Sequence, residues 1–166
     1  MNRMPARRWL MRTLRAVSCA GIVLAVAAVA ESADPPHACD LVSKDEMQAI
    51  IGEPLGEPEK KAVPPPGATV AFSLCTYPSK DGMGSLGLGL RTSQKGDNDP
   101  AFARHTMVSN GFKVEDVPGL GDAAFWTGIQ LEAFKGKHVQ LVVSVTGFAD
   151  AKGRAVKAAR KALEKL

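Results

Sequence analysis

Residues 68–91 read ATVAFSLCTYPSKDGMGSLGLGLR, and their alternation decides the fold class. Val70, Phe72 and Leu74 point one way, and Ala71, Ser73 and Cys75 point the other. A period of two predicts a strand, with Cys75 on its less apolar face. Lys80-Asp81-Gly82 is a turn signal. Leu86, Leu88 and Leu90 then alternate with Gly87, Gly89 and Arg91, so a second strand follows and the two form a hairpin. Glycines on one face of a strand leave room for a close neighbour, here expected to be a helix. Gly82-Met83-Gly84-Ser85-Leu86-Gly87 matches the letters of G-x-G-x-x-G. A strand follows it rather than a helix, so no phosphate would meet a helix N-terminus, and the match reads as turn geometry.

Working outward, Ser43-Lys44-Asp45-Glu46 is a reciprocal capping box that opens a helix over 44–51, with Gly52 as its stop. Residues 53–67 hold Pro54, Pro58 and Pro64-Pro65-Pro66 and read as an extended loop. Downstream, Asp99-Pro100 caps a helix that closes at Asn110-Gly111. Residues 112–117 are extended, Pro118-Gly119-Leu120-Gly121-Asp122 is a tight turn, and a strand runs over 123–126. Residues 129–134 and 138–146 form a second hairpin about Gly136-Lys137. In its last strand Val139, Leu141, Val143 and Val145 face one side, and His138, Gln140, Val142 and Ser144 face the other. The longest helix is 150–166, with Val156, Ala159, Leu163 and Leu166 as its seam. The expected domain is α+β, in the order α-β-β-α-β-β-β-α. It has an antiparallel sheet of about five strands and three helices gathered on one face.

Charge and hydropathy divide the chain. It has 166 residues with 21 basic against 17 acidic side chains. Arg3, Arg7, Arg8, Arg12 and Arg15 lie in the first 30 residues, where there is no acid. Without those five, 16 basic residues face 17 acidic ones, a net charge of −1. That balance argues against a nucleic-acid binder. Ala16 to Ala30 is apolar and ends in Ala28-Val29-Ala30, the layout of a secretory signal peptide over 1–30. The pair Arg7-Arg8 leaves both the general and the twin-arginine export routes open. Cys19 opens the apolar run rather than ending it, so it does not read as a lipid-attachment site. The expected location is periplasmic or secreted, after cleavage near Ala30. Residues 31–38 read as a flexible entry, and 39–166 as one domain.

Cleavage leaves Cys39 and Cys75, and two cysteines in an exported chain are most simply one disulfide. The competing reading is a metal pair with His37, which needs Cys75 reduced and a further ligand.

Elsewhere the residues give surfaces rather than a catalytic constellation, and no cofactor is implied. The Pro118–Asp122 turn could cradle an anion with its N–H groups, although Asp122 opposes this. Asp97-Asn98-Asp99 resembles the start of a calcium loop but lacks the downstream Gly and Glu. A hydrolase or metal-enzyme reading would use His105 or His138 with Asp97, Asp99 or Asp122. Phe125 and Trp126 are adjacent in a strand and face opposite sides, so one should be core. Trp126, His138 and Arg91 are the candidate ligand or partner surface. The terminal helix carries Lys152, Arg154, Lys157, Arg160, Lys161 and Lys165 against Asp150 and Glu164. Of these, Lys157, Arg160, Lys161 and Lys165 form a candidate patch for anionic lipid or an acidic partner. The seam lacks an aromatic anchor, so membrane contact is the weaker reading.

Three pieces carry a resemblance: Cys39-Asp40-Leu41 opening a short helix that ends near Gly52-Glu53-Pro54; Cys75-Thr76-Tyr77; and Val117-Pro118-Gly119-Leu120-Gly121-Asp122-Ala123-Ala124-Phe125-Trp126. In these the chain resembles a widespread group of small exported bacterial proteins and lipoproteins of unknown function. The resemblance implies a paired Cys39 and Cys75 and a single α+β domain, and it supplies no activity. Many members carry a lipid at the leader junction, where this chain has no cysteine. The function expected is an exported binding or protein-interaction domain whose partner is an unknown small molecule or envelope protein. A small hydrolase and a peripheral membrane protein are the alternatives.

Overall fold

A computed structural model describes residues 36–61 and 69–166. The expected signal peptide, its cleavage point and the Pro64–Pro66 run lie outside the described residues. The elements, in chain order, are α1 (Ala38–Leu41), α2 (Lys44–Ile51), β1 (Glu59–Lys61), β2 (Val70–Pro78), β3 (Ser85–Ser93), α3 (Pro100–Ser109), β4 (Glu115–Asp116), β5 (Ala123–Trp126), β6 (Gln130–Lys135), β7 (Val139–Thr146) and α4 (Ala151–Leu163). The sheet is antiparallel throughout, in the order β1-β2-β3-β7-β6-β5-β4.

The fold class is as expected, and the counts differ. Seven strands and four helices replace five and three. The five expected strands are β2, β3, β5, β6 and β7. The additions are α1 and the two edge strands. Glu59-Lys60-Lys61 carries no apolar alternation, and it is a strand because β2 offers it a free edge, pairing Lys60 with Cys75. Both edges are short and charged, which blunts pairing with another chain.

Residues opposite one another across the ladders share a face. One such row is Cys75, Leu88, Val143, Leu131 and Trp126; a second is Ser73, Leu90, Leu141, Ala133 and Ala124. This face meets Leu41 and Val42, then Met47 and Ile51, and the alanines 155, 158, 159 and 162 of α4 in one buried core. An alanine seam lets α4 lie close to the sheet. The less apolar face of β2 is therefore the buried one, because Tyr77 extends the Ser73–Cys75 row and the helices cover it. Phe72 and Leu74 face the other side, where Phe72 stays 43% exposed. α3 stands apart from the helices that cover this core: it adds no residue to it and touches the sheet at β5. No α3 residue is buried.

The α1–α2 corner is fastened to β2 at three points. The Cys39–Cys75 disulfide closes with a Cα–Cα distance of 4.9 Å. The Ala38 N–H donates to Ser73 Oγ at 2.9 Å, and Tyr77 OH donates to the Val42 carbonyl at 2.5 Å. Burial pushes the Tyr77 phenol up to about 12, helped by the carboxylates of Glu46 and Asp40. With Cys39 bonded to Cys75, the metal pair with His37 does not form. Instead, His37 Nδ1 accepts from the Cys39 N–H and caps α1.

The capping box of α2 forms as read. Ser43 Oγ accepts from the Glu46 N–H at 3.2 Å, and Glu46 Oε2 accepts from the Ser43 N–H at 2.8 Å. That backbone donor, with the Ser43 hydroxyl, Lys161 and Lys165, holds the Glu46 carboxyl at about 2, against an ordinary 4.5. A depressed carboxyl stabilises the fold above its unfolded pKa and loses that contribution as pH falls through its folded value. Thermal melts between pH 5 and pH 2 are therefore expected to fall less steeply for Glu46→Gln than for the wild type. Parallel curves would refute the linkage.

Candidate functional site

The sheet face away from α1, α2 and α4 holds the candidate site. Its rows, read across the sheet, are Phe72–Arg91–Gln140–Phe134, Leu74–Gly89–Val142–Glu132–Phe125 and Thr76–Gly87–Ser144–Gln130. At the β5–β6 end Phe125 and Phe134 are 2% and 0% exposed, with ring centroids 6.1 Å apart. They form a second small apolar cluster outside the main core. Over β2, β3 and β7 most side chains are half-exposed.

The two glycines of β3 shape this face. A Cβ at Gly89 would lie 3.5 Å from the Phe72 ring, so the ring lies across the bare backbone. A Cβ at Gly87 would lie 2.7 Å from Ser144 Oγ. The close neighbours are thus cross-strand side chains and not the helix that the sequence led us to expect.

Between the apolar ends runs a polar strip. Glu132 is only 1% exposed, and both its oxygens are occupied. Oε1 accepts from Gln130 Nε2 and Oε2 from Gln140 Nε2, each at 3.0 Å. Gln140 is the cross-strand neighbour of Arg91, whose Nη2 pairs with Asp97 Oδ1 at 3.1 Å. A buried carboxylate is tolerated when its lone pairs are met, and the two amides meet them. The strip therefore presents fixed donors and acceptors flanked by Phe72, Leu74 and Val142. Sequence reading missed Gln130, Glu132 and Gln140 as a group. The available signal was Glu132 interrupting the apolar run Leu131–Phe134.

His138 meets Ser93, at the end of the strand that carries Arg91. The Ser93 N–H donates to the His138 carbonyl at 2.8 Å, and His138 Nδ1 lies 2.7 Å from the Ser93 carbonyl, to which it donates. Trp126 does not join them. It lies on the helix side of the sheet, packed against the main core. Trp126 therefore lies on the other face of the sheet from Arg91, and the expected three-residue surface does not form as one.

The groups of the hydrolase reading are dispersed and occupied. Asp97 pairs with Arg91, and Asp99 Oδ1 accepts from the Ala101 N–H at 2.9 Å as the cap of α3. Asp122 Oδ2 accepts from the Gly136 N–H at 2.6 Å. His105 is exposed on α3, 3.4 Å from Ser109 Oγ. Among the described residues there is no group of three His, Cys, Asp or Glu placed to hold a metal ion. The Pro118–Asp122 turn does line a concavity of about 230 Å3. However, the Asp122 N–H is spent on the Phe134 carbonyl at 2.9 Å, and Gly121 packs against that same carbonyl at a positive φ of 61°. The turn fastens β5 to the end of β6.

The basic helix patch is divided. Lys161 reaches Glu46 and Glu164 at 3.3 Å each, and Lys165 reaches Glu46 at 3.4 Å. Glu164 and Glu46 raise the Lys161 ammonium above its ordinary value. Lys157 and Arg160 are exposed and make no ion pair among the described residues. Half the patch thus braces α4 against α2. Among the described residues no helix is long and apolar enough to cross a membrane. Comparison with known proteins finds no family model and no characterised protein that matches this chain.

Proposed function

We propose that the chain is an exported binding domain of the bacterial envelope, periplasmic or secreted after cleavage near Ala30, and that it takes its ligand on the sheet face opposite α1, α2 and α4. The observation that carries the reading is the Gln130–Glu132–Gln140 strip leading to Arg91. Its polar groups are oriented by part-buried hydrogen bonds to the buried Glu132, beside the half-exposed Phe72, and they contribute nothing to the main core. Ligand sites combine an apolar surface with a few fixed polar groups in this way. The basic leader with its Ala28-Val29-Ala30 end supports export, as does the resemblance to small exported proteins and lipoproteins. The recognised molecule would be a small polar compound or a segment of another envelope protein.

The test is native mass spectrometry of the protein recovered from its own envelope, wild type beside Arg91→Ala. The expected wild-type species begins after Ala30, lacks two hydrogens relative to the dithiol and carries an added mass that the variant has lost. An unliganded wild type, together with adsorption to anionic vesicles that salt abolishes, would instead favour a membrane role for Lys157 and Arg160.

A further inference from the structure

The two residues of β4 fix where α3 lies. Successive side chains of a strand point to opposite faces. Glu115 is paired with Trp126, and its Oε1 accepts from Lys152 Nζ of α4, on the face of the main core. Asp116 is paired with Phe125, and its Oδ1 accepts from Arg104 Nε of α3 at 3.2 Å. α3 therefore stands over the opposite face, at the end where Phe125, Phe134 and Glu132 are buried. Those side chains need a cover, and α3 touches β5, the strand that carries Phe125.

The cover is weakly held. No residue of α3 is buried, and its Phe102 and Val108 are 71% and 49% exposed. Among the described residues, Arg104–Asp116 is the one side-chain bond from α3 to another element, and water reaches both its groups, so it contributes little. The other bonds of α3 run within its own turns and to its cap, Asp99. A segment with so little buried surface opens at a lower free energy than the sheet beneath it. Both ends are placed to pivot. Before α3, the Asn98 N–H donates to the Lys137 carbonyl at 3.0 Å and pins the chain to the β6–β7 turn; after it, Gly111 turns at a φ of 84°. We infer that α3 is a hinged cover that lifts off the β5–β6 end while the sheet and the layer of α1, α2 and α4 stay folded. Lifting bares Phe125, Phe134 and the Glu132 carboxylate. They then continue the surface of Phe72, Leu74 and Val142, so the reachable face runs from β2 to β5. A ligand that engages the aromatic pair selects the open form. The opening is a property of the chain alone and stands whether or not the face binds a ligand.

Native-state hydrogen exchange of the mature, disulfide-bonded protein, read amide by amide, tests the opening. The helical amides from Ala103 to Ser109 are expected to exchange at least about 100-fold faster than those of β3 and β7, and to respond little to urea below the unfolding transition. Exchange of α3 at the rates of β7, with the same urea dependence, would overturn the inference. Phe125→Cys separates lifting from fraying in place, since Cys39 and Cys75 are bridged and do not compete for a thiol reagent. This variant is expected to be labelled at least about tenfold faster than it unfolds globally. Ala133→Cys, at a buried position on the main-core face, is expected to be labelled no faster than it unfolds. Labelling of Phe125→Cys only at the rate of global unfolding would overturn the cover, and if that variant does not fold, the wild-type exchange decides.

Discussion

Replacing Cys39 and Cys75 together by alanine is expected to lower stability by about 3–4 kcal/mol, from the chain entropy of a loop of this length. The bridge joins residues 36 positions apart. For a domain of this size that is a fall in Tm of about 10–15 °C. Alanine is the appropriate probe, since Cys75 is fully buried and a serine would add an unpaired hydroxyl. The crosslink matters because α1 has four residues, too few to be helical by itself. Once the bridge is gone, the hydrogen bonds that tie the corner to β2 are, among the described residues, those from Ala38 to Ser73 and from Tyr77 to Val42. Reductant should lower the wild-type melt by a similar amount and leave the double variant unmoved. If reductant moves both equally or moves neither, the bridge is not what fastens α1–α2 to β2.

Glu132→Ala is expected to cost about 2–4 kcal/mol, the scale for removing one partner from a buried, charge-assisted hydrogen-bond group. The loss comes from stranding the Gln130 and Gln140 amides, which now donate 3.0 Å bonds to the carboxylate. Glu132→Gln should fall between wild type and Ala, because one oxygen remains to accept while the new NH2 confronts a like group. Equilibrium urea unfolding measures the series. If Ala proves as stable as the wild type, the strip is not a closed network. The same series reports on function, because stranded amides would rotate and blur the donor pattern beside Arg91.

The two variants bracket what could be read from the primary structure. The disulfide was legible from arithmetic, since only two cysteines follow the apolar run over residues 16–30. The Gln–Glu–Gln strip was not. Glu132 is an ordinary solvent-facing residue by alternation, and its burial depends on the structure around Phe125 and Phe134. Arg91 and His138 were singled out; Arg91 faces Gln140 across the ladder and pairs with Asp97, while His138 bonds to Ser93. Trp126 was grouped with them because aromatic exposure is not a local property.

Local signals alone determined the elements whose stabilising contacts lie within a few residues. Ser43 and Glu46 satisfy each other's backbone, Asp99-Pro100 starts α3, and the leucine–glycine alternation of β3 needs no distant partner to be recognised. Tertiary structure decided matters that depend on neighbours remote in sequence. Glu59–Lys61 becomes a strand only because β2 exposes an edge. The polar side of β2 becomes core because Tyr77 and the disulfide draw the helices onto it. The reason is one of range: caps and periodicity act over three or four residues, whereas burial and edge pairing are set by which segments meet after the chain has closed.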